Sequence, residues 1–119
     1  MFHAIIQARM GSKRLPGKTL MEYKKISPLK VLLLRLKKVK EISKLIVVTT
    51  KNKKDKSIIN LCKKLNVSYY KGSANNVLLR YYSAAKRYKS IEIIRLTADN
   101  PFIDKNTLVK MINLKKNNN

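Results

Sequence analysis

The loop between residues 7 and 18 carries the densest set of side chains that could do chemistry. Four cations, one hydroxyl and two glycines lie between residues 9 and 18. Arginine and lysine neutralise phosphate oxygens, and glycine lets backbone N–H groups approach an anion. The loop therefore predicts a triphosphate-binding site. Considered by itself, it also fits a basic surface turn in which the glycines serve only tight geometry.

The segment Gly17-Lys18-Thr19 ends this loop as a Walker A phosphate-binding motif would end. Its spacing and composition exclude that motif. Five residues, not four, separate Gly11 from Gly17, and Pro16 removes a backbone N–H from the phosphate cradle. No helical pattern begins at Lys18 either. The chain is therefore not predicted to be a P-loop protein.

A second polar loop, residues 97–104, contains a candidate metal ligand. A hard divalent cation such as Mg²⁺ requires oxygen ligands, carboxylates above all. Asp99 is one of three aspartates in the chain and follows a predicted strand. It also precedes Asn100-Pro101, so a simple turn residue is the alternative. Asp104 is better explained as the cap of a last helix.

Alternating apolar segments must position these two loops. Short apolar runs predict four buried strands, and apolar residues spaced by three and four predict helices between them. A cap residue followed by proline, Ser27-Pro28, marks the start of the first helix. The strands are expected at residues 2–8, 44–50, 67–70 and 91–96, and the helices at 28–39, 58–65, 77–88 and from about 106.

This β-α-β-α-β-α-β-α order predicts an α/β domain with a mostly parallel sheet and helices on both faces. Ligands of open α/β sheets bind beyond the carboxyl ends of the strands. The first loop follows the first strand, and residues 97–104 follow the fourth. We therefore expect the two loops to lie at the same edge of the sheet.

The charge of the chain is strongly positive. Lysine and arginine total 28 against 6 acidic residues, which gives a net charge of +22. Nonspecific polyanion binding is therefore expected, and a basic nucleic-acid-binding module is an alternative function. The lysines are spread over all elements beside asparagines, as in Lys51-Asn52-Lys53-Lys54, which favours compositional drift. The helical spacing of Tyr81, Ala85 and Tyr88 favours core packing over a base-stacking platform.

The bulk composition limits the class of protein. A length of 119 residues with 45% hydrophobic residues fits one folded domain. The single cysteine, Cys62, excludes an internal disulfide and fits a reducing cytosol. The sequence shows neither a membrane span nor a signal peptide, so we expect a cytoplasmic protein. His3 has no cluster of partners in the sequence and is given no chemical role.

Three segments carry a family resemblance. They are Ala4-Ile5-Ile6-Gln7-Ala8-Arg9-Met10-Gly11-Ser12-Lys13-Arg14-Leu15-Pro16-Gly17-Lys18, then Tyr70-Lys71-Gly72-Ser73 with Val77-Leu78-Leu79-Arg80-Tyr81-Tyr82, and Ile94-Arg95-Leu96-Thr97-Ala98-Asp99-Asn100-Pro101-Phe102-Ile103-Asp104. In this order and spacing they closely resemble the cytidylyltransferase family, which includes CMP-sugar-acid synthetases and spore coat polysaccharide biosynthesis protein F. The resemblance covers nearly all of this chain but only the first half of a typical member.

The resemblance implies a three-layer Rossmann-like nucleotide-diphospho-sugar transferase fold, here incomplete. It also implies transfer of CMP from CTP to a sugar or sugar acid, with release of pyrophosphate, for polysaccharide or glycoconjugate biosynthesis. Arg9 and Lys18 match catalytic positions, and Asp99 matches the aspartate that binds Mg²⁺. The positions that match nucleotide-binding residues are Ala8, Arg9, Ser12, Arg14, Lys18, Arg80 and Thr97.

Several positions depart from the family pattern. Asn76 stands where many relatives have aspartate, Ala98 replaces a common glycine, and Lys24-Lys25-Ile26 replaces a glycine-containing turn. We expect residues 1–114 to form the nucleotide-binding part of the domain and residues 115–119 to be a disordered tail. The second half supplies sugar contacts and often the dimer surface in relatives. We therefore expect a truncated protein that needs a homodimer or a complementing chain, with an inactive family remnant as the alternative.

Overall fold

The computed structural model describes residues 2–9 and 28–98 of the chain. Strands and helices alternate along the described residues. The strands are β1 (Phe2–Gln7), β2 (Ile42–Thr50), β3 (Ser68–Gly72) and β4 (Glu92–Thr97), and the helices are α1 (Pro28–Leu36), α2 (Lys56–Leu65) and α3 (Val77–Arg87), with a 3₁₀ turn at Lys53–Asp55. The last helix expected from the sequence and the tail at 115–119 lie outside the described residues.

The four strands form one parallel sheet in the order β3-β2-β1-β4. The central strand β1 pairs with β2 on one side and with β4 on the other. Gln7, at the end of β1, is aligned with Val48 of β2 and with Thr97 of β4. The predicted parallel α/β sheet is therefore confirmed, and its strands end along a common edge.

The face of the sheet under α1 and α2 holds the larger apolar core. Successive residues of a strand point to opposite faces, so Ala4 and Ile6 of β1 share this face. Helix α1 buries four leucines at spacings of three and one, and α2 contributes Ile58 and Cys62. Burial of each large aliphatic side chain contributes about 1.5–3 kcal/mol. This face therefore supplies most of the apolar stabilisation.

The opposite face is covered by α3. Ile5, Ile46 and Val48 of the sheet pack there against Tyr81 and Ala84. The Tyr81 hydroxyl donates to the carbonyl of Leu96 at 2.8 Å, and the Tyr88 hydroxyl donates to the carbonyl of Tyr69 at the same distance. Helices on both faces are thus confirmed, as is core packing for Tyr81, Ala85 and Tyr88.

The element boundaries differ from the sequence expectation by a few residues. Helix α1 begins at Pro28 as expected but ends at Leu36. Val39 is still buried, because a turn in which its N–H donates to the Leu36 carbonyl (3.1 Å) returns it to the core. Ile91, expected to begin β4, precedes the strand and is 94% exposed. Within the described residues no helix has the length and apolarity that a membrane crossing requires.

Candidate functional site

Ala8 and Thr97, two of the expected nucleotide-binding residues, lie at the ends of the neighbouring strands β1 and β4, at the carboxyl edge of the sheet. Pairing continues one residue beyond the strand ends, because the Ala98 N–H donates to the Gln7 carbonyl at 2.9 Å. The Ala8 N–H donates to the Val48 carbonyl at 3.0 Å and is therefore engaged in the sheet. Ala8 is buried and Thr97 is exposed. The two predicted loops thus begin at the ends of adjacent strands.

Arg9 extends from the end of β1 toward the loop that connects β3 to α3. Its Nη1 lies 3.5 Å from the carbonyl oxygen of Ala74, which is long for a hydrogen bond. The side chain is partly buried. Arg9 therefore bridges two segments that are 65 positions apart in the chain, and it brings a positive charge to the middle of the carboxyl edge.

Arg80 lies in the first turn of α3 and is only 1% exposed. Its Nη1 donates to the Ser73 carbonyl at 2.5 Å, whereas Nε and Nη2 have no hydrogen-bond partner among the described residues. Burial lowers the pKa of Arg80, and the positive charge of Arg9 lowers it further. An arginine guanidinium nevertheless stays charged in proteins. The described part of the site thus contains a buried cation with two nitrogen atoms that have no partner there.

Gly72 makes room for Arg80 at the end of β3. A Cβ atom at Gly72 would lie 3.0 Å from Cγ of Arg80 and 3.1 Å from Cε1 of Tyr70. Such contacts are closer than side chains normally tolerate, so a residue with a side chain would displace one of these neighbours. The small residue in the Gly72-Ser73 motif is therefore explained by the passage of the Arg80 side chain.

The loop between β3 and α3 is held by local hydrogen bonds. The Asn75 N–H donates to Oγ of Ser73 at 3.3 Å, and Oδ1 of Asn76 accepts from the Leu79 N–H at 3.0 Å. Asn76 therefore caps the N-terminus of α3, a position at which asparagine and aspartate are both favourable. The departure from the family pattern at Asn76 thus preserves the cap.

Thr50 and Asp55 form a buried polar pair that the sequence analysis did not identify. The Thr50 hydroxyl donates to Oδ2 of Asp55, and the two residues are 2% exposed each. The lysine-rich composition of the surrounding loop favours compositional drift, and it concealed a lone carboxylate five positions after the end of β2. The Asn52 side chain, which accepts from the Lys54 N–H at 3.0 Å, shows that this loop is a defined turn.

A cleft of about 530 Å³ opens beside Gly72 at this edge. Its lining comes from the end of β2, from β3 with its following loop, and from α3; it includes Lys51, Asn52, Tyr70, Gly72, Ser73 and Leu79. Another cleft, of about 270 Å³, lies at the amino end of the strands between α1, β2 and β3. The lining of the first cleft includes Ser73 and Ala74, whose carbonyl oxygens are approached by Arg80 and Arg9, so we place the candidate site there.

Four of the expected site residues lie at the carboxyl edge of the sheet: Ala8, Arg9, Arg80 and Thr97. Ser12, Arg14, Lys18 and Asp99 lie outside the described residues. Among the residues that are described, no group of three or more His, Cys, Asp or Glu side chains could hold a metal ion. Buried donors require acceptors, and arginine forms strong hydrogen bonds with phosphate and carboxylate oxygens. The described part of the site is therefore suited to an anion.

The comparisons with known proteins agree with this fold. A family model described as cytidylyltransferase matches residues 3–119. The spore coat polysaccharide biosynthesis protein SpsF of Bacillus subtilis strain 168 is 38% identical over 112 residues, which are 91% of this chain and 47% of that protein. A solved cytidylyltransferase structure from Leptospira borgpetersenii serovar Hardjo-bovis strain JB197 is 42% identical with a TM-score of 0.89, and the match covers 95% of this chain and 48% of that one.

A more distant structure, CMP:2-keto-3-deoxy-manno-octonic acid synthetase complexed with CTP, matches with a TM-score of 0.83. It is 18% identical and the match covers 98% of this chain and 47% of that one, so it supports the fold alone. The chain spans about half the length of the relatives it matches. Since the family model covers nearly the whole chain, the chain belongs to the cytidylyltransferase family.

Proposed function

We propose that this chain binds CTP and forms the nucleotide-binding part of an enzyme that transfers CMP to a sugar or sugar acid. The observation that carries the proposal is Arg80, a buried cation with two donors unpartnered among the described residues, beside Arg9 at the carboxyl edge of the sheet. Open α/β sheets bind ligands at this edge. Two relatives favour these substrates: the distant synthetase was solved with CTP, and SpsF is named for polysaccharide biosynthesis.

The proposed reaction is nucleotidyl transfer. A sugar hydroxyl oxygen attacks the α-phosphorus of CTP, the bond between the α- and β-phosphates breaks, and pyrophosphate leaves. Arg9 and Lys18 neutralise charge on the phosphates, while Ser12 and Arg14 complete the triphosphate contacts. Ala8, Arg80 and Thr97 position the nucleotide. The chain thus acts mainly by orientation and charge stabilisation.

We propose that Mg²⁺ binds through Asp99. Magnesium sites in phosphoryl-transfer enzymes use one or two carboxylates together with substrate phosphates, so they need no cluster of protein ligands. Asp99 directly follows Ala98, whose N–H extends the β1–β4 pairing. When bound, the ion supplies positive charge that offsets the charge on the phosphates and the leaving pyrophosphate.

We propose a second protein surface as partner, from a homodimer or a complementing chain in the cytoplasm. In the described part of the sheet, β4 pairs only with β1. Ile93 of this edge strand is 38% exposed, and an edge strand can pair with further protein. The sugar contacts are assigned to that partner surface. The net charge of +22 also predicts nonspecific binding of polyanions.

Thermal protection by nucleotides tests the proposed substrate. At equal ionic strength and with Mg²⁺, CTP is expected to raise the melting temperature more than ATP, GTP or tripolyphosphate, because only CTP fits the nucleoside side of the site. Equal protection by all four ligands would indicate an inactive family remnant that binds polyphosphates only through its positive charge. A steep loss of DNA binding with salt accompanies either result, since it reflects the charge; a preference for one DNA sequence would favour the nucleic-acid-binding alternative.

Substitutions in the first loop test the phosphate contacts. Lys18→Ala and Arg9→Ala are each expected to weaken CTP binding by about 1.5–3 kcal/mol even without Mg²⁺, since each removes a charge-assisted contact. Calorimetry measures the loss. Lys40→Ala is the matched control, because Lys40 is an exposed lysine in the turn before β2, at the opposite end of the sheet. An equal loss for Lys40→Ala would show that CTP binding depends on the overall positive charge and not on a specific site.

Asp99→Asn tests the metal separately. Without Mg²⁺ the variant is expected to bind CTP as well as the parent or slightly more tightly, because one negative charge near the phosphates is gone. With Mg²⁺ it is expected to lose the gain in affinity that the ion gives the parent. A titration of CTP with and without Mg²⁺ measures both effects. A full Mg²⁺ response in Asp99→Asn would rule out Asp99 as the ligand.

A further inference from the structure

Asp55 is the one carboxylate that the described part of the chain places at the carboxyl edge of the sheet. The described ranges contain three acidic residues: Glu41, Asp55 and Glu92. Glu41 precedes β2 and Glu92 begins β4, so both lie at the amino end of the strands. Asp55 is 2% exposed. A buried carboxylate is costly unless other groups compensate its charge, so its position requires an explanation.

The Asp55 side chain is directed away from the helix it precedes. Asp55 occupies the N-cap position of α2, where aspartate normally accepts a hydrogen bond from the first helical turn. Its side chain makes no such capping bond and instead accepts from the Thr50 hydroxyl at the end of β2. The carboxylate is therefore turned toward the strand ends, where the candidate site lies, at the expense of the helix cap.

Strand pairing connects Asp55 to Arg80. Thr50, whose hydroxyl holds Asp55, is aligned with Gly72 of β3. Gly72 in turn packs directly against the aliphatic part of Arg80. The Asp55 carboxylate raises the pKa of Arg80, against the lowering by burial and by Arg9. One negative charge thus offsets the repulsion between two neighbouring arginines.

We propose that Asp55 is a positioning residue, which holds the buried Arg80 guanidinium in the orientation that receives the nucleotide. The proposal rests on the proposed CTP-binding function. Thr50 fixes the carboxylate, the carboxylate fixes Arg80, and Nε and Nη2, which have no hydrogen-bond partner among the described residues, are left for the ligand. The same negative charge repels every polyanion, and only a ligand that also makes nucleoside contacts offsets this repulsion, which favours specificity in a chain of charge +22.

The first test needs no nucleotide. Phenylglyoxal modifies accessible arginines, and peptide mass spectrometry of the full chain gives a rate for each site. Asp55→Asn keeps the size and the acceptor for Thr50 but removes the charge, so we expect Arg80 to react severalfold faster relative to the exposed Arg35. Thr50→Val is expected to act in the same direction, whereas Thr50→Ser, which retains the hydroxyl, is expected to match the parent. Glu41→Gln is the charge-matched control.

Reactivity of the buried Cys62 thiol separates release of Arg80 from unfolding. Faster labelling of Arg80 with Cys62 still protected supports the proposal. Equal Arg80 rates in Asp55→Asn and Glu41→Gln overturn it. If Asp55→Asn and Thr50→Val both expose Cys62, the pair is a folding element only, and the proposal is also overturned.

The second test compares CTP with tripolyphosphate. We expect Asp55→Asn to bind CTP severalfold more weakly and tripolyphosphate more tightly, because the orientation of Arg80 is lost while a negative charge is removed. In an Arg80→Gln background the same substitution is expected to leave CTP affinity unchanged. Equal weakening of CTP binding in both backgrounds overturns the positioning role. If the parent does not distinguish the two ligands, the proposed function fails, and the labelling experiment still decides the role of Asp55.

Discussion

The two faces of the sheet use different means to hold their helices. Under α1 and α2, four leucines of α1 and two residues of α2 are buried with alternate residues of β1 in a nearly all-apolar core. Under α3 the apolar cluster is smaller, and polar contacts add to it: Tyr81 to Leu96, Tyr88 to Tyr69, and Arg80 to Ser73. One face is held by burial, and the other combines burial with directed hydrogen bonds.

This difference implies that the residues that stabilise the fold are largely distinct from those that bind the ligand. Apolar burial is nondirectional and tolerates small shifts, whereas a hydrogen bond fixes the donor and acceptor in distance and angle. Among the described site residues, Arg80 lies on α3 and Arg9 reaches the loop before it, whereas Ala8 packs in the core under α1 and α2. We therefore expect substitutions under α1 and α2 to change mainly the free energy of unfolding, and substitutions beside α3 to change mainly ligand binding.

The largest expected effect is on the α1 face. Leu32→Ala removes a completely buried side chain and is expected to lower the free energy of unfolding by about 2–5 kcal/mol. That is a large fraction of the roughly 5–15 kcal/mol that stabilises a typical domain. Urea unfolding measures the loss, and CTP affinity of the fraction that remains folded is expected to be unchanged.

Leu78→Ala on α3 is the matched control, since Leu78 is 65% exposed and the change should cost less than about 0.5 kcal/mol. The labelling rate of Cys62 reports independently on the opening of the same face. Burial raises the pKa of its thiol to about 12, so it should react with thiol reagents only when the core opens. Slow Cys62 labelling in Leu32→Ala, equal to the parent, would contradict the assignment of this face as the main source of stability.

The element pattern was predictable because it depends on local periodicity. Buried parallel strands are continuous apolar runs and amphipathic helices repeat every three to four residues, so the order of the described elements could be inferred correctly. The ends were less predictable. Val39 continues the helical spacing of α1 yet reaches the core from a turn, and periodicity cannot distinguish the two.

The candidate site was only partly predictable. Arg9 and Arg80 were identified through family resemblance, but their approach depends on Arg9 reaching a carbonyl of the loop before α3. Thr50 and Asp55 were missed, because their pairing depends on a 3₁₀ turn inside a lysine-rich segment. A solitary acidic residue among lysines just after a buried strand was the available signal. The overall composition does not reveal such a residue, because one acidic side chain hardly changes the net charge of the chain.

The second prediction concerns the contact between Gly72 and Arg80. Gly72→Ala places a methyl group 3.0 Å from Cγ of Arg80 and 3.1 Å from Cε1 of Tyr70, and we expect the arginine to shift. Overpacking of this kind costs about 1–3 kcal/mol of stability. We expect a smaller stability loss than for Leu32→Ala but a larger loss of CTP affinity, because Arg80 changes orientation. Ser68→Ala, in the same strand and on the same face, is the control; unchanged CTP binding by Gly72→Ala would separate Arg80 from the ligand.

The smallest expected effect lies at the N-terminus of α3. Asn76→Ala removes the side-chain oxygen that accepts from the Leu79 N–H, and loss of an N-cap costs about 1 kcal/mol. Asn76→Asp keeps the acceptor and adds a negative charge at the positive end of the helix, so it is expected to be at least as stable as the parent. Asn75→Ala alters the neighbouring asparagine without removing this cap and serves as the control. Thermal unfolding measures the order of stability among these variants. If alanine and aspartate at position 76 destabilise equally, the side-chain oxygen of Asn76 does not stabilise the helix as a cap.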